Sequence, residues 1–152
     1  LGDFFVLLFF GGLAVMGSYY LQTDTLPCQI IWFAMAVGCL SVGVLNLNNM
    51  RDMDNDTTVG KKTIAALLGF NLAKTYHAVL LLTGLLCLGI GLMQIATTCW
   101  HYLPLIIGIP LLFQLFKTLR VNTHTDFDVL LKPLALITFA LSLILLITQL
   151  SV

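Results

Sequence analysis

Glutamate is missing from this 152-residue chain: all seven acids are aspartate, matched by seven lysines and arginines. Charge of either sign is scarce, at 9% of residues, where soluble domains carry about a quarter. So few charges cannot cover a water-facing surface, which excludes an ordinary soluble domain. The net charge of zero leaves no basic footprint for a nucleic acid. A glycine-rich phosphate loop, a GxSxG elbow and an HExxH helix are also absent. The four cysteines, Cys28, Cys39, Cys87 and Cys99, form no CxxC pair and have no histidine at metal spacing. They read as soft apolar filling. No internal repeat or low-complexity linker divides the chain.

Hydrophobic residues are abundant: 59% of the chain, with a mean hydropathy of +1.01. That excludes disorder, which needs low hydrophobicity and high net charge. The apolar residues fall into five runs, Phe4–Leu21, Ile30–Leu47, Ala78–Ala96, Tyr102–Phe116 and Pro133–Leu150, and none contains a charge. Runs of about 18 residues or more are long enough to cross a bilayer as helices. The fourth is the weakest, being short and interrupted by Pro104 and Pro110. The expected fold is an all-α bundle of five spans in lipid. Phe4–Leu21 lacks a basic leading segment, and bulky Tyr19, Tyr20 and Leu21 stand where a signal peptide needs small residues. It therefore reads as a span, with the two tyrosines as interfacial aromatics.

The cations orient the bundle. Arg51, Lys61, Lys62 and Lys74 lie between spans two and three, and Lys117, Arg120 and Lys132 between spans four and five. The other two loops have none. Basic loops stay cytoplasmic, so the N-terminus is expected inside and the C-terminus outside.

The one polar concentration is Asn46–Lys62, directly after the second span. On a helix continuing past Leu47, Asn48, Asp52 and Asp56 recur every four residues. Each step turns about 400°, so the three share a stripe, and Asp54 points elsewhere. Aspartates at i and i+4 repel, and anions at a helix C-terminus oppose the dipole. A hard cation removes both objections. Mg²⁺ takes oxygen ligands and is commonly held by one or two carboxylates together with substrate phosphates. Lys61 and Lys62 then supply charge for phosphate oxygens, and Gly60 lets the chain turn back. His77 could meet a substrate but reads first as a residue of the membrane interface; Asp126 and Asp128 could approach the same site but, with His124, read first as parts of a solvated loop. Gly38, Gly43, Gly84, Gly89 and Gly91 either admit close helix approach or leave room for a ligand tail.

The stretch Asn48–Gly69, N-N-M-R-D-M-D-N-D-T-T-V-G-K-K-T-I-A-A-L-L-G, resembles the second Asp-rich motif of the UbiA-type intramembrane prenyltransferases. It is most similar to the branch that acts on 1,4-dihydroxy-2-naphthoate in menaquinone synthesis. The openings Gly2–Gly11 and Gly17–Gln22 are similar to that branch too. Leu68 stands where the branch often has arginine. The resemblance implies a nine-span bundle in the bacterial cytoplasmic membrane, of which this sequence corresponds to spans five to nine, without the N-terminal half and its first Asp-rich motif. The chain alone is then expected to be inactive. The resemblance further implies Mg²⁺ as cofactor and, as substrates, a polyprenyl diphosphate and an aromatic acceptor. Decarboxylation of the acceptor would give demethylmenaquinone. Asp52 and Asp56 match the motif's catalytic, metal-binding acids, with Asn48 beside them. Asn49, Arg51, Lys61 and Lys62 match positions near the diphosphate. A 4-hydroxybenzoate or haem-type acceptor, an alcohol phosphotransferase, and a non-catalytic subunit or carrier are the rival readings. The D-G-x-x-A-R opening that the phosphotransferase needs is absent.

Overall fold

The computed structural model describes residues 1–150, which are mostly helical with no strand among them. Five helical stretches are long and apolar enough to cross a membrane: Gly2–Thr23, Ile30–Arg51, Phe70–Ile95, Cys99–Arg120 and His124–Thr148. All five expected spans are present, and each helix outruns its apolar run. Polar residues end an apolar run without ending the backbone hydrogen bonding. Thus α6 (Phe70–Ile95) starts two turns before Ala78. The short α5 (Ile64–Leu68) precedes it, and the start of α6 is set by Gly69, whose φ of 76° strains any residue with a Cβ.

The first span consists of α1 (Gly2–Val6), a π-helical stretch (Leu7–Gly17) and α2 (Ser18–Thr23). It packs on α3 (Ile30–Arg51) through glycines. A Cβ on Gly11 would stand 2.6 Å from the Ala34 carbonyl oxygen and 3.1 Å from the Gly38 Cα. The two backbones touch there because neither residue has a side chain, the usual route to helix pairing in lipid. The opposite face of the span, with Phe4, Phe9, Phe10 and Leu13, is exposed and suits lipid.

The central helix is α3, packed between the first span, α6 and α8 (Asp128–Leu150). Leu40, Leu47 and Met50 from α3 meet Leu81, Leu88 and Leu134 in the core. The remaining glycines divide. Gly43 faces Leu81 at 3.0 Å, Gly84 the Ala36 carbonyl at 3.2 Å and Gly91 the Phe33 ring at 3.0 Å, whereas Gly89 faces open space. Close approach accounts for Gly38, Gly43, Gly84 and Gly91. The fourth span is a 3₁₀ stretch (Cys99–Ile107) followed by α7 (Gly108–Arg120). Pro104 lies in the 3₁₀ part, and Pro110 lies in the first turn of α7, where a missing N–H costs little.

Three long-range contacts gather one end of the bundle. The Tyr76 hydroxyl donates to Asp3 Oδ2 at 3.0 Å, Arg51 Nη1 meets Asp128 Oδ1 at 2.9 Å, and Lys74 Nζ donates to the Val121 carbonyl at 3.0 Å. The chain start, the polar motif and the starts of α6 and α8 therefore share an end, as the cation distribution requires.

Candidate functional site

At that end the helix of α3 closes at Arg51, and the chain passes through Asp52 (φ −90°, ψ 7°) into α4 (Met53–Thr58). The break is slight. The Asp52 N–H still donates to the Asn48 carbonyl at 3.0 Å, and the Asp56 N–H to the Asp52 carbonyl at 2.8 Å. The spacing of Asn48, Asp52 and Asp56 along one stripe therefore survives the change of helix. Asn48 Nδ2 donates to Asp52 Oδ2 at 3.3 Å.

The neutralisation of these acids differs from the sequence argument. Each aspartate has a cation of its own. Arg51 Nε donates to Asp52 Oδ1 at 2.8 Å and Nη2 to Oδ2 at 3.0 Å, while Nη2 also reaches Asn48 Oδ1 at 2.8 Å. Hydrogen bonding from Arg51 holds the Asp52 carboxyl below the ordinary carboxylate range, against the opposing effect of burial. Asp56 is buried, and Lys61 Nζ bonds both of its oxygens at 3.2 and 3.0 Å. Gly60, with φ 71°, turns the chain so that Lys61 comes back to it, and the Lys61 N–H donates to the Asp56 carbonyl at 2.8 Å. The i,i+4 repulsion is thus offset within the chain itself.

Of the other expected residues, Asn49 is buried at 4% exposure, and Lys62 is exposed with no ion pair among the described residues. Asp54 lies off the stripe, with Oδ1 3.6 Å from His124 Nε2.

The fourth loop joins this site, contrary to its reading as merely solvated. Asp128, the first residue of α8, pairs with Arg51. His124, in a short 3₁₀ turn (His124–Phe127), places Nδ1 2.8 Å from the Met50 carbonyl. A carbonyl only accepts, so Nδ1 carries the proton. Phe127 is fully buried, and Phe70 meets both the His124 and Phe127 rings, at 4.8 and 5.7 Å between centroids. Asp126 remains exposed. Beyond the basic residues that both loops carry, no signal in the sequence links two loops more than seventy residues apart.

His77 is also placed differently from its interfacial reading. It is fully buried beside Gly43, and among the described residues neither ring nitrogen has a partner within hydrogen-bond geometry. One α3 turn away, buried Asn46 donates to the Ala73 carbonyl at 3.1 Å, tying α3 to α6 just behind the motif. Tyr20 is exposed and Tyr19 half-buried.

The donor set of the motif is all oxygen, which suits a hard divalent cation. No group of three or more acidic, histidine or cysteine side chains among the described residues forms a metal cage. The fit is therefore to a cation shared with ligand phosphates, held by one or two carboxylates. The cations on both aspartates are partly exposed, Arg51 at 32% and Lys61 at 53%.

Residues 1–139 match the model of the UbiA prenyltransferase family. Over 114 residues, 75% of this chain, the sequence is 45% identical to 1,4-dihydroxy-2-naphthoate octaprenyltransferase of Escherichia coli strain K12. It is 42% identical over 112 residues to the enzyme of that name from Haemophilus influenzae, 74% of this chain. It is 33% identical over 121 residues, 79% of this chain, to human UbiA prenyltransferase domain-containing protein 1. The matches span 37%, 36% and 35% of these relatives respectively. No solved structure matches the chain.

Proposed function

This chain belongs to the UbiA prenyltransferase family, and from that premise we propose that its protein transfers a polyprenyl group from the diphosphate to 1,4-dihydroxy-2-naphthoate. The names of the two bacterial relatives support that acceptor. The observation that carries the reading is the paired arrangement at one end of the apolar bundle: Asn48, Arg51 and Asp52 on one turn, Asp56 with Lys61 on the next.

The diphosphate binds against this stripe. Asp52, Asp56 and the Asn48 amide oxygen would hold Mg²⁺, which would supply positive charge to the diphosphate oxygens. Arg51 and Lys61 contribute further charge there, and Lys62 draws the anion toward the rim. That charge favours departure of the diphosphate with the electrons of the allylic C–O bond. The electron-rich ring bonds to the allylic carbon and loses its carboxylate as CO₂, giving demethylmenaquinone in its hydroquinone form. The apolar helices hold the prenyl tail and keep water from the allylic cation. The motif end faces the cytoplasm of a bacterial inner membrane.

The test is transfer by the purified whole protein, not by this stretch alone, in lipid with polyprenyl diphosphate, Mg²⁺ and either 1,4-dihydroxy-2-naphthoate or 4-hydroxybenzoate. Prenylated product and CO₂ are expected from the naphthoate alone and are abolished by chelation. Product from the benzoate alone would refute the acceptor, and no product from either would refute the transferase reading.

A further inference from the structure

Arg51 divides its guanidinium among three side chains. Asn48 and Asp52 belong to its own segment; Asp128 comes from α8, 77 positions away. Resting on the diphosphate reading above, we propose that Asp128 is a positioning residue of the site, holding Arg51 at its rim while Asp52 engages the incoming ligand.

Once the Asp52 carboxylate and the Asn48 amide oxygen turn to a ligand-bound cation, Arg51 loses its Nε bond and both of its Nη2 bonds. The remaining strong partner is then the Nη1–Asp128 pair at 2.9 Å. Without it, a long, partly exposed arginine regains its rotamer freedom, which opposes any fixed contact with a phosphate.

Asp128 does not depend on Arg51 for its own place. The loop before it is anchored by buried Phe127, by His124 on the Met50 carbonyl, and by Lys74 on the Val121 carbonyl. The Asp128 side chain is 69% exposed, so its pair with Arg51 contributes little to stability. The pair is thus poorly explained as a device for folding and well placed as one for aiming the guanidinium.

The experiment is a double-mutant cycle on the purified protein in lipid, read first as the affinity for inorganic pyrophosphate in the presence of Mg²⁺. D128N is expected to weaken binding three- to tenfold, with unchanged thermal stability, and D128E to restore most of it. In an R51A background, adding D128N should change affinity by less than about twofold, because the residue acts through Arg51. D126N, two positions away and exposed, serves as the silent control. Where transfer is also measured, D128N should raise KM for the prenyl diphosphate and leave KM for the acceptor alone. Wild-type affinity in D128N, or an equal loss with and without Arg51, would overturn the proposal. Pyrophosphate binding without transfer would sink the transferase reading while leaving the cycle decisive; no binding by the wild type would sink both.

Discussion

Asp52 and Asp56 stand in different surroundings despite their shared stripe. Asp52 is partly exposed and sits in an arginine fork, while Asp56 is buried under a lysine that is half in solvent. In the whole protein, replacing either with alanine should lower transfer at least 100-fold with membrane insertion intact, measured as product formed per mole of inserted protein. Acid provides a second test at this scale. The Asp52 carboxyl is held below its ordinary 3.8 by Arg51. A depressed carboxylate contributes its pairing above the unfolded value and loses it as pH falls through the folded one. The Arg51–Asp52 pair should therefore persist at pH 5 and break only below 3.8, followed by the ¹⁵N shift of the Arg51 side chain. Loss of the pair near pH 6 would contradict the geometry.

Helix packing at the level of elements turns on where a methyl group fits. Gly11→Ala would drive a Cβ against the Ala34 backbone oxygen, which cannot rotate away. It should destabilise the pairing of the first span with α3 by roughly 1–3 kcal/mol. Gly89→Ala meets nothing within 4 Å and should be neutral or stabilising by up to about 1 kcal/mol, since alanine favours helix. Thermal unfolding in detergent checks both, and equal effects would refute the glycine contact. The spans themselves were legible in the sequence because lipid imposes length and apolarity on every crossing helix. Their ends were not: α6 starts in a polar segment that composition assigns to a loop, and only Gly69 marks the boundary. The glycine contacts were hidden for a related reason, because a small residue states that something comes close without stating what.

For the molecule as a whole, one polar end gathers residues from all parts of the chain. The stripe of Asn48, Asp52 and Asp56 could be read from spacing alone. Its partners could not, because Arg51 and Lys61 lie at i+3 and i+5 steps where flexible side chains choose their contacts in three dimensions. Asp128 and His124 reach the site only through the packing of α8 on α3. The orientation has its own test. Cys28 and Cys99 are exposed and free, whereas Cys39 and Cys87 are buried. A membrane-impermeant thiol reagent should label Cys28 and Cys99 from outside the cell, and a cysteine placed at Lys62 only after the membrane is opened. The reverse pattern would invert the proposed topology.

The central claim is that the two aspartates and a divalent cation together hold a diphosphate at this end of the bundle. It is tested most directly by titrating inorganic pyrophosphate into the purified protein in lipid, with and without Mg²⁺, beside the D52N/D56N variant. The wild type is expected to bind only when Mg²⁺ is present, and the variant not at all. Binding of equal strength without Mg²⁺, or in the variant, would contradict it.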